Sequence, residues 1–552
     1  MCSDSTPGRP CFDLWQAYGG VSSKTLKDSG KMLQIGRRSL NLSIGAGLLG
    51  LAGVRPAAAD TPKNALVLGH LAELQTLDPP QATTISDGRI NSNIYEGLVR
   101  FKDASLEIEP ALATSWTISP DGKLYTFKLR PGVTFHDGSA FDAAAVKFNF
   151  DRVLVKGAPY SDTGPFPFVF ILGPITQTEV VDPMTVAFHL ATPYAPMMNM
   201  LASGAGLVAG ISPAAVKQYG KEFSRHGGGT GPFKLRLWEP NQRIVLEANK
   251  SYFRGAPKLA GLVYRPIPDE SARVSEMQSG GTDVTIEVPA DNVPGFKADA
   301  RFTFLEQPGP HLWYLMLNTR TKPFNDKRVR QALNYAINKD AIANDILKGT
   351  ATVAASVTPP AFTGYYDETL KPYPYDPARA KQLLADAGYP QGIDVTFDVT
   401  QNGSGMLSPT LMGTAIQADL AAVGIRAKIE TYEWNTYLAK LIPGMGEVAI
   451  AEMSFMTTDP DTHPALALRT GAAVNSGYYS NPEVDRLIDA GRVEVDVGKR
   501  QAIYKKLQQV VFDDAPWGFI CNWKQNAVIA KDVQDFQLQP SFVTRLFPVY
   551  KS

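Results

Sequence analysis

Residues 323–342, PFNDKRVRQALNYAINKDAI, constrain the fold more than any other stretch of the chain. Asn325 or Asp326 can cap a helix there, because a side-chain oxygen ahead of the first turn accepts from an otherwise orphaned amide. Val329, Ala332, Leu333, Ala336 and Ile337 then recur at i, i+3, i+4, i+7 and i+8, one face of a 3.6-residue repeat. Just upstream, Leu312-Trp313-Tyr314-Leu315-Met316-Leu317-Asn318 is apolar almost throughout, as a strand buried on both faces must be. Strand, loop and helix in that order open an α/β layer. Taken alone, a helix packed on a sheet needs no catalytic role for its charges.

The same grammar continues on both sides. Alternation over residues 124–130, bounded by Pro-Gly and Asp-Gly turns, predicts a half-buried strand, and Asp142 caps a helix starting near Phe141. Further strands are predicted at 65–69, 233–238, 262–269 and 283–288, with a helix over 271–278. The second half predicts strands at 393–399, 426–432 and 447–452 and helices near 378–387, 411–423 and 500–512. A chain of 552 residues exceeds one core, so two or three domains are expected.

Charge and cysteine usage narrow the function classes. The 54 Lys/Arg balance 54 Asp/Glu, but residues 1–59 hold seven basic residues (Arg9, Lys24, Lys27, Lys31, Arg37, Arg38, Arg55) against three acids (Asp4, Asp13, Asp28), which leaves the remainder at −4. That remainder has no basic field for nucleic acid. Gly36-Arg37-Arg38 precedes a short apolar run over 44–53 and the small-residue step Ala57-Ala58-Ala59-Asp60, the layout of an export signal of twin-arginine type. The apolar run is too short to span a bilayer. No cysteine follows it to carry a lipid, so a soluble, untethered periplasmic protein is expected. Such a mature chain keeps only Cys521, expected as a small buried hydrophobe.

Enzyme chemistry finds little support. The six histidines are His70, His136, His189, His226, His311 and His463; none sits in His-Glu-x-x-His, and no Gly-x-Ser-x-Gly occurs. His136 stands alone and reads as a turn hydrogen-bonder. Gly227-Gly228-Gly229-Thr230-Gly231-Pro232-Phe233 lacks the Gly-Lys-Ser/Thr ending of a phosphate loop. No metal and no cofactor are expected.

The wording of four segments is more specific than their periodicity. YLMLNT with PFNDKRVRQALNYAINKDAI, YEGLVRF at 95–101, LRPGVTFHDGSAFDAAAVKFNFDRV at 129–153 and GTGPF at 229–233 resemble the periplasmic dipeptide- and oligopeptide-binding proteins, family five of the extracellular solute-binding receptors of ATP-binding-cassette importers. The resemblance runs from about residue 65 to the C-terminus. It implies an α/β, two-lobed periplasmic-binding-protein fold of the large cluster C type, with an extra subdomain in the first lobe and two hinge crossings. The bounds expected are a signal region at 1–59, a first lobe at 60–305 with its inserted subdomain at about 98–224, a second lobe at 306–523, and a return to the first lobe at 524–552. The implied role is capture of a small solute between the lobes, without chemistry, by a monomer that then docks on membrane permease subunits. A secreted peptide or amide hydrolase and a sensor working without a transporter are the rival readings.

The resemblance also implies the cleft. Thr83 and Thr84 are expected on the first lobe, Trp313, Trp434, Phe455, Met456, Thr457 and Asp459 on the second, with His463 beside them. Thr84 and its neighbours equally suit a helix cap. Dipeptide receptors carry a Trp and an Asp ahead of an acidic-Pro step, and counting back from Asp459-Pro460 places Met453 and Met456 there. Their carboxylate-binding Arg has no counterpart in Leu407-Ser408-Pro409-Thr410-Leu411-Met412. An unpaired buried charge is costly, so a free zwitterionic dipeptide is disfavoured and a less charged solute expected.

Overall fold

The computed structural model describes residue 62 and residues 64–167, 172–403 and 405–552; the leader expected at 1–59 lies outside them. A twelve-stranded sheet runs through the described body. In its first section Ala65–His70 pairs in parallel with Gly261–Pro266 on one side and Val284–Ile286 on the other. Arg243–Ala248 and Phe233–Glu239 extend this section antiparallel. In the second section Ile393–Thr400 lies in parallel between Ile425–Tyr432 and Ile450–Met456, and His311–Leu317 runs antiparallel beyond.

One strand belongs to both sections. Residues 524–530 of Trp517–Ala530 pair with Phe302–Pro308, while its residues 517–521 pair with His311–Leu317. Residues 302–317 therefore run alongside 517–530 as a two-stranded ribbon. Between the two ladders the Gly309 amide donates to the Trp523 carbonyl at 3.1 Å. The ribbon passes from one section to the other at residues 309–311 and 522–524.

Separate apolar cores flank the sections. The first gathers Leu66, Leu68, Leu262 and Tyr264 with Met197, Met198 and Leu201. In the second section, side chains alternate along one strand: Trp313, Leu315 and Leu317 enter one core, and Leu312, Tyr314 and Met316 enter another. This double burial is why His311–Leu317 reads as continuously apolar. The helix that opened the sequence reading is Lys327–Ala336, with Asp326 as its cap, accepting from the Arg328 amide. Val329, Ala332, Leu333, Ala336 and Ile337 are all fully buried, and Val329, Leu333 and Ile337 each contribute roughly 1.5–3 kcal/mol by leaving water.

A four-stranded antiparallel sheet, ordered Ala113–Ile118, Leu124–Leu129, Thr185–Leu190, Ile175–Asp182, stands apart from the main one. Beside it, Ala143–Leu154 is capped by Asp142, whose Oδ1 accepts from the Ala145 amide at 2.8 Å. Three strands differ from expectation. The one predicted at 262–269 is Gly261–Pro266, because Pro266 and Pro268 carry no amide to extend the ladder. The one predicted at 447–452 is Ile450–Met456, because the buried Glu452 carboxyl takes the Thr400 amide and so sits inside the strand instead of ending it. The one predicted at 283–288 is only Val284–Ile286, because Glu287 adopts a φ of 58°, which extended backbone cannot accommodate.

Candidate functional site

Ile393–Thr400, Ile425–Tyr432 and Ile450–Met456 point the same way, so Thr400, Tyr432 and Met456 share one edge of the second section. His311, register partner of Met456, begins its strand there. The parallel strands of the first section likewise end together at His70, Pro266 and Ile286. Ligands of open α/β sheets bind outside such carboxyl edges. Both edges meet the crossing ribbon.

The junction is tightly specified. His311 Nδ1 accepts from the Trp523 amide at 3.2 Å and Nε2 donates to the Gly405 carbonyl at 3.0 Å, which fixes the tautomer. Burial pushes this imidazole down to about 4, so it is neutral at physiological pH. Asn522 Nδ2 donates to the His311 carbonyl at 2.8 Å. The Trp523 ring meets His311 edge-on at 5.9 Å and Phe542 at 5.5 Å. Trp523 also lines a small pocket with Arg89, Glu287, Gln525 and Phe542. Arg89 is spent on Glu287 and on the Phe542 carbonyl. The buried Gln525 Nε2 has no hydrogen-bond partner within the described protein.

On the second edge Trp434 is half-buried at the start of Trp434–Leu441 and stacks on Tyr437. Gly403 lies so close that a Cβ there would stand 2.5 Å from the Trp434 ring. Met456 is half-buried beside His311. Glu452, four residues back, is fully buried; Oε1 accepts from the Thr400 amide at 2.8 Å and Oε2 has no partner among the described residues. Burial pushes its carboxyl up to about 8, so it carries a proton at neutral pH.

Several expected ligand contacts are committed elsewhere. Thr84 caps Ile85–Ile94, its hydroxyl oxygen accepting from the Asp87 amide at 3.0 Å, whereas the exposed Thr83 remains at the surface. Trp313 is fully buried among Leu315, Leu317 and Val329, because its strand is covered on both faces. Thr457 closes its own turn, donating to the Asp459 carbonyl and accepting from the Asp459 amide. Asp459 is fully buried in a bidentate pair with Arg500, at 2.6 and 3.0 Å, and so has no charge left for a ligand. Phe455 stacks on His463 at 4.4 Å, and His463 on Trp517 at 4.9 Å. That buried His463 ring is pushed down to about 3 and is a neutral slab in a stack, not an anchor. Of the expected set, Trp434 and Met456 stand at the shared edge.

Sequence reading missed Arg89, Glu287, His311, Glu452 and Trp523. Only Glu452 leaves a local signal, as the one charged residue in the mostly apolar Ile450–Met456. The other four acquire meaning only from long-range pairing. His136 binds the glycine turn, its Nε2 2.9 Å from the Gly231 carbonyl and its Nδ1 accepting from the Gly229 amide. In that turn a Cβ on Gly229 would fall 2.1 Å from the Ile94 carbonyl oxygen, so its glycine serves close packing. Cys521 is buried and its thiol pushed up to about 12. No cluster of three or more potential metal ligands occurs among the described residues.

Residues 107–475 match the model of the bacterial extracellular solute-binding proteins, family 5 (middle), more than half of the chain. The chain belongs to that family. The glutathione-binding protein GsiB of Pectobacterium atrosepticum is 33% identical to this family-5 protein over 504 residues, covering 89% of this chain and 95% of the relative. Among solved structures, HbpA2 from Haemophilus parasuis superposes with a TM-score of 0.82 at 28% identity, over 89% of this chain and all of that one. The periplasmic binding protein DppA from Helicobacter pylori, in complex with the peptide STSA, gives a TM-score of 0.74 at 32% identity, over 88% of this chain and 98% of that one. This family-5 member thus has the two-lobed binding-protein fold, and its homologues are solute-binding proteins.

Proposed function

We propose that the protein captures a short peptide-like solute of low charge between its two carboxyl edges and delivers it to an ATP-binding-cassette importer. Residues up to 308 together with 525–552 serve as one lobe and 312–521 as the other, and the ribbon at 309–311 and 522–524 is the hinge. A solute touching both edges stabilises the closed arrangement in proportion to its preference for it. Trp434 and Met456 on one side and Trp523 at the junction supply the contact surface. Export by the twin-arginine-type leader, a monomeric and untethered state, and binding without turnover complete the reading. Among the described residues no helix is long and apolar enough to cross a membrane, which accords with it.

The observation that carries the low-charge specificity is the state of the ionisable groups around the two edges. Asp459 is paired with Arg500, Arg89 with Glu287, and Asp461 with Arg492. His311 is held neutral and Glu452 protonated. An ammonium or carboxylate brought against these groups finds none of them free to pair with it, and leaving it unpaired costs more than a neutral amide does. Isothermal titration with glutathione, free Met-Leu, and acetylated, amidated Met-Leu tests this. Tightest binding of the blocked peptide is expected. Tighter binding of either charged probe, or no binding of the blocked one, overturns the low-charge reading.

A further inference from the structure

We propose that Asn199 is a positioning residue, forming a latch that holds the two lobes together without touching the solute. Asn199 lies in the short helix Met197–Ala202, whose Met197, Met198 and Leu201 are buried in the first core. Its Nδ2 donates to Asp459 Oδ2 at 2.7 Å, and Asp459 belongs to the turn after Ile450–Met456 in the second section. A second bond crosses at the same place: the Ala195 amide donates to the Arg492 carbonyl at 2.8 Å. Beside them Gly122, next to the four-stranded sheet, lies against Val495, where an added Cβ would stand 3.3 Å from the valine Cγ1.

The acceptor side is built to stay in place when the lobes part. Arg500 holds both Asp459 oxygens, and Arg500 Nε donates to the Gly491 carbonyl at 3.0 Å. Arg492 and the Tyr504 hydroxyl hold Asp461, whose amide donates to Asp459 Oδ1 at 2.8 Å. Every ion pair in this cluster lies within the second section. Besides the Gly122–Val495 packing, separation therefore breaks a neutral amide's bond to a carboxylate and one main-chain bond, and strands no charge. A contact that leaves no unpaired charge behind is reversible, whereas a buried salt bridge spanning the gap would not be. The pair Asp459 and Arg500 thus works as a fixed strike plate, and Asn199 is the part that leaves it.

Hydrogen exchange of the full chain without any solute tests the latch, read by mass spectrometry at the peptide containing Ala195. Asn199→Ala removes a donor to a charged acceptor and is expected to speed exchange there about tenfold. Asn199→Asp places a second carboxylate against Asp459 and is expected to speed it further. The melting temperature and the exchange of peptides from His311–Leu317 should stay at wild-type values in both variants. Unchanged exchange at Ala195 in both variants overturns the proposal. So does faster exchange throughout both cores with a lowered melting temperature, which would make Asn199 merely structural. Because no solute is present, neither result bears on what the protein binds.

Discussion

Replacing Glu452 with glutamine should make the protein more stable at neutral pH and flatten its stability–pH curve. Glu452 is fully buried and its carboxyl is pushed from its ordinary value of 4.5 up to about 8. In the unfolded chain the group ionises near its ordinary value; in the folded protein it keeps its proton until about pH 8. The unfolded state thus binds fewer protons across that window, and stability falls as pH rises through it. The neutral, buried acid contributes its full stability below pH 4.5 and has lost it above about pH 8. Each pH unit corresponds to about 1.4 kcal/mol, so at pH 7 the cost is on the order of 3 kcal/mol. Glutamine keeps an oxygen for the Thr400 amide and has no proton to lose. Denaturant titrations of both proteins at pH 4.5, 6, 7 and 8 would measure the difference, in which the other buried groups cancel. The variant should match wild type at the lowest pH and exceed it increasingly above. Parallel curves would show that Glu452 ionises normally in the folded state and would refute the reasoning.

Trp434→Ala should weaken capture of the blocked peptide at least tenfold in titration calorimetry while the melting temperature falls little, since the ring is only half-buried. Arg500→Ala should destabilise the fold by about 3–5 kcal/mol in denaturant titration, because it strands the buried Asp459 carboxylate. Arg500→Lys should recover only part of this, lacking the two-pronged geometry. A maleimide reagent should leave the peptide containing Cys521 unmodified in the native protein and label it fully in urea, since that thiol is buried and pushed up to about 12.

The α/β architecture was readable from the chain because it rests on short-range regularities. Spacing alone identified the buried face of Lys327–Ala336, the doubly covered strand before it and the cap Asp142, and left the other cap between Asn325 and Asp326, of which Asp326 serves. Site residues were harder because their chemistry depends on distant partners. Asp459 looks available in sequence, yet its partner Arg500 lies 41 positions on. His311 and Trp523 gain their meaning from a contact spanning 212 positions. Thr84 illustrates the opposite case: its capping partner Asp87 is three residues away, and the local reading was right. Met456 and Trp434 entered the expected cleft through the family resemblance, Met456 by counting back from Asp459-Pro460, and the structure puts one at the end of its strand and the other at the start of its helix.

Two strands lying side by side through the passage at residues 309–311 and 522–524 restrict how the halves can move. A single connecting segment would permit swivelling in any direction. Paired segments laced by the Gly309–Trp523 and Asn522–His311 bonds resist shear and torsion and yield chiefly to folding about one line, as a lid does on two pins. Capture then becomes a search along a single coordinate, and each approach of the halves presents the same surfaces in the same alignment.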